Sequence, residues 1–179
     1  IGVPCFIKAV LLAASESAVF KERIAVTVAI FCGHLKSTAF SKLLAMQCGT
    51  APQDMVSLDF RTKIPNRNAN SYGVTITARN DVGLVQSVRP MDSLYGGDWG
   101  LGFFKYKACD FCDDVVGETA DVSVGDAWLP EYVADSRGTN VVVVRSRLID
   151  KLLRESAQAG RLHLDEISEE KVSSSQAAG

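Results

Sequence analysis

Ile24-Ala25-Val26-Thr27-Val28-Ala29-Ile30-Phe31 is an apolar, β-branched run that ends at Cys32-Gly33. A strand wetted on one face alternates polar and apolar residues, whereas an unbroken apolar run suits a strand covered on both faces, as in a sheet flanked by helices. The four valines at 141–144 repeat the signal. Between and around these runs stand helical patterns. Ile7, Val10, Leu11, Ala14 and Ala18 recur at three- and four-residue spacing and predict a helix over residues 7–20, with Cys5 in the loop that feeds it. Ser37 is placed to cap a helix over 38–47 that stops at Gly49, and residues 148–159 predict another that stops at Gly160.

Other segments read as strands and turns. Residues 55–60 predict a strand and 65–71 (PNRNANS) a loop. Residues 72–77 and 82–88, joined through Asn80-Asp81, predict an antiparallel hairpin. Four glycines in Tyr95-Gly-Gly-Asp-Trp-Gly-Leu-Gly102 resist regular structure or let backbone approach a ligand. Residues 120–125 predict a short strand, 130–138 a polar connection and 162–167 an edge strand. From Ser168 the tail reads as solvated and flexible. The expected fold is α/β, a mixed sheet flanked by helices in a single domain over residues 1–167.

Composition narrows the function. At 179 residues, 47% hydrophobic and 22% charged, the chain can bury a sizeable core. A formal net charge of −2 offers no basic field for neutralising phosphates, so no nucleic-acid partner is expected. No apolar run approaches the roughly 20 residues that span a bilayer, and the start lacks the blocks of a signal peptide; a cytoplasmic location is expected. The chain begins at Ile1 without Met, as a chain truncated at its N-terminus would.

Five cysteines are present. Cys109-Asp-Phe-Cys112 has the spacing at which a tight turn aims two sulfurs at one metal, and Cys5 (Gly-Val-Pro-Cys) and Cys32 (Phe-Cys-Gly-His) stand in turn-like settings. Four thiolates suit an iron–sulfur cluster or structural zinc; a thioredoxin-like redox pair and coincidence remain open for Cys109 and Cys112. Cys48 lies in an apolar helical pattern and reads as a small core residue. Ala120-Asp-Val-Ser-Val-Gly-Asp-Ala-Trp128 places two carboxylates, Asp121 and Asp126, around Gly125 in a strand that ends at Gly125-Asp126, and α/β sheets gather ligands at such carboxyl ends; a solvated tight turn is the plainer account. Arg61 and Lys63, in Phe-Arg-Thr-Lys, would share one face of an extended strand and grip a phosphate or carboxylate, or stand in solvent at the strand's end. His34 and His163 have no companions for a hydrolytic triad, and neither a phosphate-binding loop nor a dinucleotide fingerprint occurs.

Gly-Val-Pro-Cys5-Phe-Ile-Lys, Phe-Cys32-Gly-His, Phe60-Arg-Thr-Lys63, Lys107-Ala-Cys-Asp-Phe-Cys112 and Ala120-Asp-Val-Ser-Val-Gly-Asp-Ala-Trp128 occur in one order along the chain. In these motifs the chain resembles the C-terminal region of the coenzyme F420 hydrogenase/dehydrogenase beta subunit family, which also takes in the plant and cyanobacterial type of hydroxymethyl chlorophyll reductase. The resemblance extends to about residue 155. It implies an oxidoreductase module that passes electrons between FAD and a [4Fe-4S] cluster, with coenzyme F420 as substrate in some members, and a redox partner protein or subunit. It makes Cys5, Cys32, Cys109 and Cys112 the cluster ligands, and places Arg61, Lys63, Asp121, Gly125 and Asp126 in family motifs that we assign to the flavin. Full-length relatives carry a region before the Gly-x-Pro-Cys motif, relative to which this chain is truncated. A domain stapled by zinc through the same four cysteines is the alternative.

Overall fold

The computed structural model describes residues 1–177. The fold is α/β, with a mixed sheet, an antiparallel sheet and accompanying helices. The chain divides into two compact units. The first is built from residues 1–33, 111–127 and 140–175, the second mainly from 34–110 and 128–139.

In the first unit, α1 (Pro4–Glu16) starts with Pro at a position where its missing N–H costs nothing. Cys5 therefore lies inside the first helical turn, not in the loop before it. The expected single helix is two: Ser17 adopts an extended conformation, and α2 (Ala18–Arg23) follows. The run 24–31 contributes only three residues to a strand, β1 (Val28–Ile30), in which Ala29 is fully buried and Ile30 half-exposed. Within the run Thr27 and Ala29 are buried while Val28 is half-buried and Ile30 exposed, the pattern of a strand covered mainly on one face and not on both. β1 pairs parallel with β5 (Val122–Asp126), which pairs antiparallel with β6 (Asn140–Val144). The valine run is thus an edge of this three-stranded sheet. The main chain of Gly2 extends the sheet beyond β1 through a parallel bridge to Ala29. Ile7, Ala29 and Ala120 form the small apolar core, with Leu11 against it. A buried polar group completes the interior: Ser123 Oγ donates to the Gly117 carbonyl at 3.1 Å and accepts from Arg145 Nη1 at 2.9 Å.

α5 (Arg147–Gln158) matches its expectation, with Arg154 paired to Asp150 at 3.0 Å one turn away. No strand forms at 162–167. Its two leucines are exposed, so an edge strand there would gain ladder bonds without burying an apolar face. The C-terminal segment has regular structure: α6 (Glu169–Ser174) is capped by Ser168, whose hydroxyl accepts the Lys171 N–H at 3.4 Å, and Ser175 is buried. Positions 178 and 179 of the expected tail lie outside the described residues.

In the second unit, α3 (Thr38–Gln47) has the expected bounds, though the Ser37 side chain makes no cap bond. Phe40 and Leu44, one turn apart, and Ala45 turn inward onto the sheet of β2 (Met55–Thr62), β3 (Gly73–Asn80) and β4 (Gly83–Pro90), ordered β2-β3-β4 and antiparallel. The β3–β4 turn is set by Asn80, whose Oδ1 accepts the Val82 N–H at 3.0 Å, and by Gly83 at positive φ. Phe40, Leu44, Ala45, Val74, Ile76 and Met91 form the core, and Cys48, at the C-cap of α3, packs on it half-buried as expected. The glycine run 95–102 holds a 3₁₀ turn at Trp99–Leu101. The polar connection holds a short helix, α4 (Pro130–Val133).

Candidate functional site

The first cluster of chemistry lies in the first unit, along residues 111–118. Cys112 is exposed, and its thiol lies 3.8 Å from the Asp114 carbonyl. Asp114 is buried, and its carboxylate caps the following turn: Oδ1 accepts the N–H of Gly117 at 2.7 Å and of Glu118 at 3.1 Å. Gly117 holds φ +67°, and a Cβ there would collide with the Ala29 side chain, so glycine is required on both counts. The Val115 carbonyl accepts the Cys32 N–H at 2.9 Å. From α1, Lys8 Nζ reaches Glu118 Oε1 at 3.0 Å, Asp114 Oδ2 at 3.7 Å and Asp113 Oδ1 at 3.9 Å. Its pKa is raised by the hydrogen bond to Glu118 and then by the charge of the three carboxylates.

The segments bearing Cys5, Cys32 and Cys112 are therefore all bonded to one loop. Cys109 belongs to the second unit, in a 3₁₀ turn at Lys107–Phe111, where its half-buried sulfur accepts the Leu35 N–H at 3.4 Å. Among the described residues, no three His, Cys, Asp or Glu side chains are gathered closely enough to hold a metal ion. The donors fit a thiolate-ligated centre in kind, and three of their segments share one anchor.

Farther along the sheet, Asp121 Oδ2 accepts both the N–H and the hydroxyl of Thr27 at 2.8 Å, and its own N–H donates to that hydroxyl at 3.0 Å. This carboxylate ties β5 to the chain entering β1. At Gly125 the Phe31 ring fills the space a Cβ would need. Asp126, at the end of β5, is half-buried and pairs with Asn140.

A second cluster lies in the second unit. The Arg61 guanidinium carbon lies 4.4 Å from the Tyr72 ring centroid and 5.2 Å from that of Trp128. Lys63 follows the end of β2, and its Nζ is close to Gly138. A shift of register between Asp59 and Thr62 interrupts the regular alternation there. A cavity of about 110 Å³ is lined by Phe60, Arg61, Tyr72, Met91 and Trp99. Beside it His34 stacks on Trp99 at 5.3 Å, and Lys36 Nζ lies 4.6 Å from Trp99 and 4.7 Å from Phe40 while donating to the Phe103 carbonyl at 2.9 Å. Burial, then the charges of Lys36 and Lys105, hold the His34 pKa below its ordinary value, and its Nε2 is buried with no hydrogen-bond partner among the described residues. Lys36 is likewise lowered by burial, partly offset by Asp98.

Sequence reasoning missed Lys8, Asp114, Tyr72 and Trp99. Trp99 carried a signal as a large aromatic inside a glycine run, and Lys8 closes the Gly-Val-Pro-Cys-Phe-Ile-Lys motif. The partners of Lys8 are more than a hundred positions away.

Comparison with solved structures adds a likeness of fold. The chain is similar to a chain of the F420-reducing [NiFe] hydrogenase complex from Methanosarcina barkeri, with a TM-score of 0.56 and 16% identity over 98% of this chain. It spans 57% of that neighbour's length. No curated protein matches, and no helix among the described residues is long and apolar enough to cross a membrane. Residues 1–170 match the family described as the C terminus of the coenzyme F420 hydrogenase/dehydrogenase beta subunit. With nearly the whole chain inside that match, the protein belongs to the family formed by the C-terminal part of the beta subunits of coenzyme F420 hydrogenases and dehydrogenases.

Proposed function

We propose that the chain is an electron-transferring module of an iron–sulfur flavoprotein oxidoreductase, working with a redox partner protein or subunit. When bound, FAD exchanges electron pairs with a hydride-carrying or other small-molecule substrate, and a [4Fe-4S] cluster exchanges them singly. The substrate is of the coenzyme F420 class in some relatives.

Cys5, Cys32, Cys109 and Cys112 are the cluster's thiolates. Arg61 and Lys63 supply positive charge to the flavin's phosphates, and Asp126 accepts a hydrogen bond from the cofactor. Asp121 and Gly125 act by shaping β5 through Thr27 and Phe31. One observation carries this reading: in a chain of this redox family, the loop 113–118 bonds to the segments bearing three of its cysteines.

Anaerobic reconstitution tests it. The expected result is about four irons with matching acid-labile sulfide per chain, and a flavin whose fluorescence appears on denaturation. Stoichiometric zinc without sulfide would overturn the cluster and leave the four-cysteine zinc staple in its place.

A further inference from the structure

Lys8 and Cys5 are three residues apart on α1, so their side chains leave neighbouring positions of one helix face. That face meets the loop after Cys112. Of the three carboxylates near Lys8, those of Asp113 and Glu118 are 95% and 67% exposed, whereas that of Asp114 is 4% exposed. Lys8 is hydrogen-bonded to Glu118 at 3.0 Å and stands 3.7 Å from Asp114; exposed pairs hold geometry weakly, whereas removing the cation beside a buried carboxylate is costly, so the Asp114 contact contributes most to the tie between α1 and the turn. The same carboxylate sets the turn through Gly117 and Glu118, and the turn presents the Val115 carbonyl to the Cys32 N–H.

We propose that Lys8 and Asp114 are positioning residues that hold the Cys5, Cys32 and Cys112 segments together for one thiolate-ligated centre. The proposal rests on the thiolate assignment above. Neither residue touches the metal. Their work is to orient the groups that do, as the hydrogen-bonded surroundings of a metal site commonly orient its ligands.

The test is titration of the reduced, metal-free full chain with Cd²⁺, reading the thiolate charge-transfer absorption and the affinity. Wild-type protein should bind with an absorption of at least three thiolates. Lys8→Met and Asp114→Asn, which keeps the acceptor for Gly117, should each weaken binding about tenfold to a hundredfold or lose thiolates from the band. Lys8→Arg should recover most of the binding, and Lys21→Met on α2 should leave it unchanged. Wild-type affinity and absorption in both variants would overturn the positioning role while leaving the thiolate centre standing. Fewer than three thiolates in the wild type would overturn both. Loss of the folded circular dichroism in both variants before cadmium is added would also overturn it, because the pair would then support the whole unit.

Discussion

The Phe31 ring stands over Gly125 in the space a Cβ would occupy. This contact within the first unit gives the glycine a packing role. Gly125→Ala should destabilise by about 1–3 kcal/mol through overpacking, seen as a lower thermal midpoint in circular dichroism. Phe31→Leu added to it should recover part of the loss, because residues in contact couple. Equal losses with and without the second change would show that the ring is not the obstacle.

Arg61 stacks on Tyr72 with Trp128 nearby, an arrangement in which the planar guanidinium matters as much as its charge. Arg61→Ala should lower the stability of the second unit by about 1 kcal/mol, and Arg61→Lys should recover less than half. Both tryptophans of the chain lie in this unit, so indole fluorescence reports the change directly. If Arg61 also grips flavin phosphate, the alanine variant should release flavin more readily during gel filtration.

Phe40 is 1% exposed and meets Phe60, Trp99 and Phe104. Phe40→Ala should cost about 3–5 kcal/mol in denaturant titrations followed by indole emission. A cost below about 1 kcal/mol would mean that the aromatic cluster collapses around the gap.

Asp135 is held at a pKa of about 2, below its ordinary 3.8, first by hydrogen bonds from the Arg137 side chain and backbone and then by nearby charge, including Lys63. A lowered folded-state pKa means that the pair stabilises fully above the ordinary value and that its effect fades as pH falls through about 2. Arg137→Gln should return the carboxyl toward 3.8 in a ¹³C NMR titration. A midpoint that stays near 2 would assign the shift to other groups.

Cys109→Ala should lower reconstituted iron content sharply, whereas Cys48→Ala should leave it nearly intact. Burial raises the Cys48 thiol pKa, so it should also alkylate more slowly than the exposed Cys5 and Cys112. Equal iron loss in the two variants would mean that the ligand set has been misassigned.

Elements governed by local chemistry were the legible ones. α3 stands where apolar spacing and Gly49 place it, and the β3–β4 hairpin turns through an Asn side chain and a glycine close to where its turn residues sit. The run 24–31 promised a longer strand than β1, because apolarity reports burial potential while strand length depends on how far a partner's hydrogen bonds extend. The break at Ser17 carried no glycine or proline signal.

The sequence by itself determined the α/β class, the family motifs and the set of residues able to bind soft metals or anions, since these depend on local pattern and side-chain chemistry. Tertiary structure alone decided what those residues touch. It turned Asp121 inward to Thr27, put Phe31 over Gly125, laid Arg61 on Tyr72 and joined Lys8 to a buried carboxylate far along the chain. Apart from Arg61 and Tyr72, which stand 11 positions apart, these contacts arise from packing between distant segments, and no short window of sequence contains both partners.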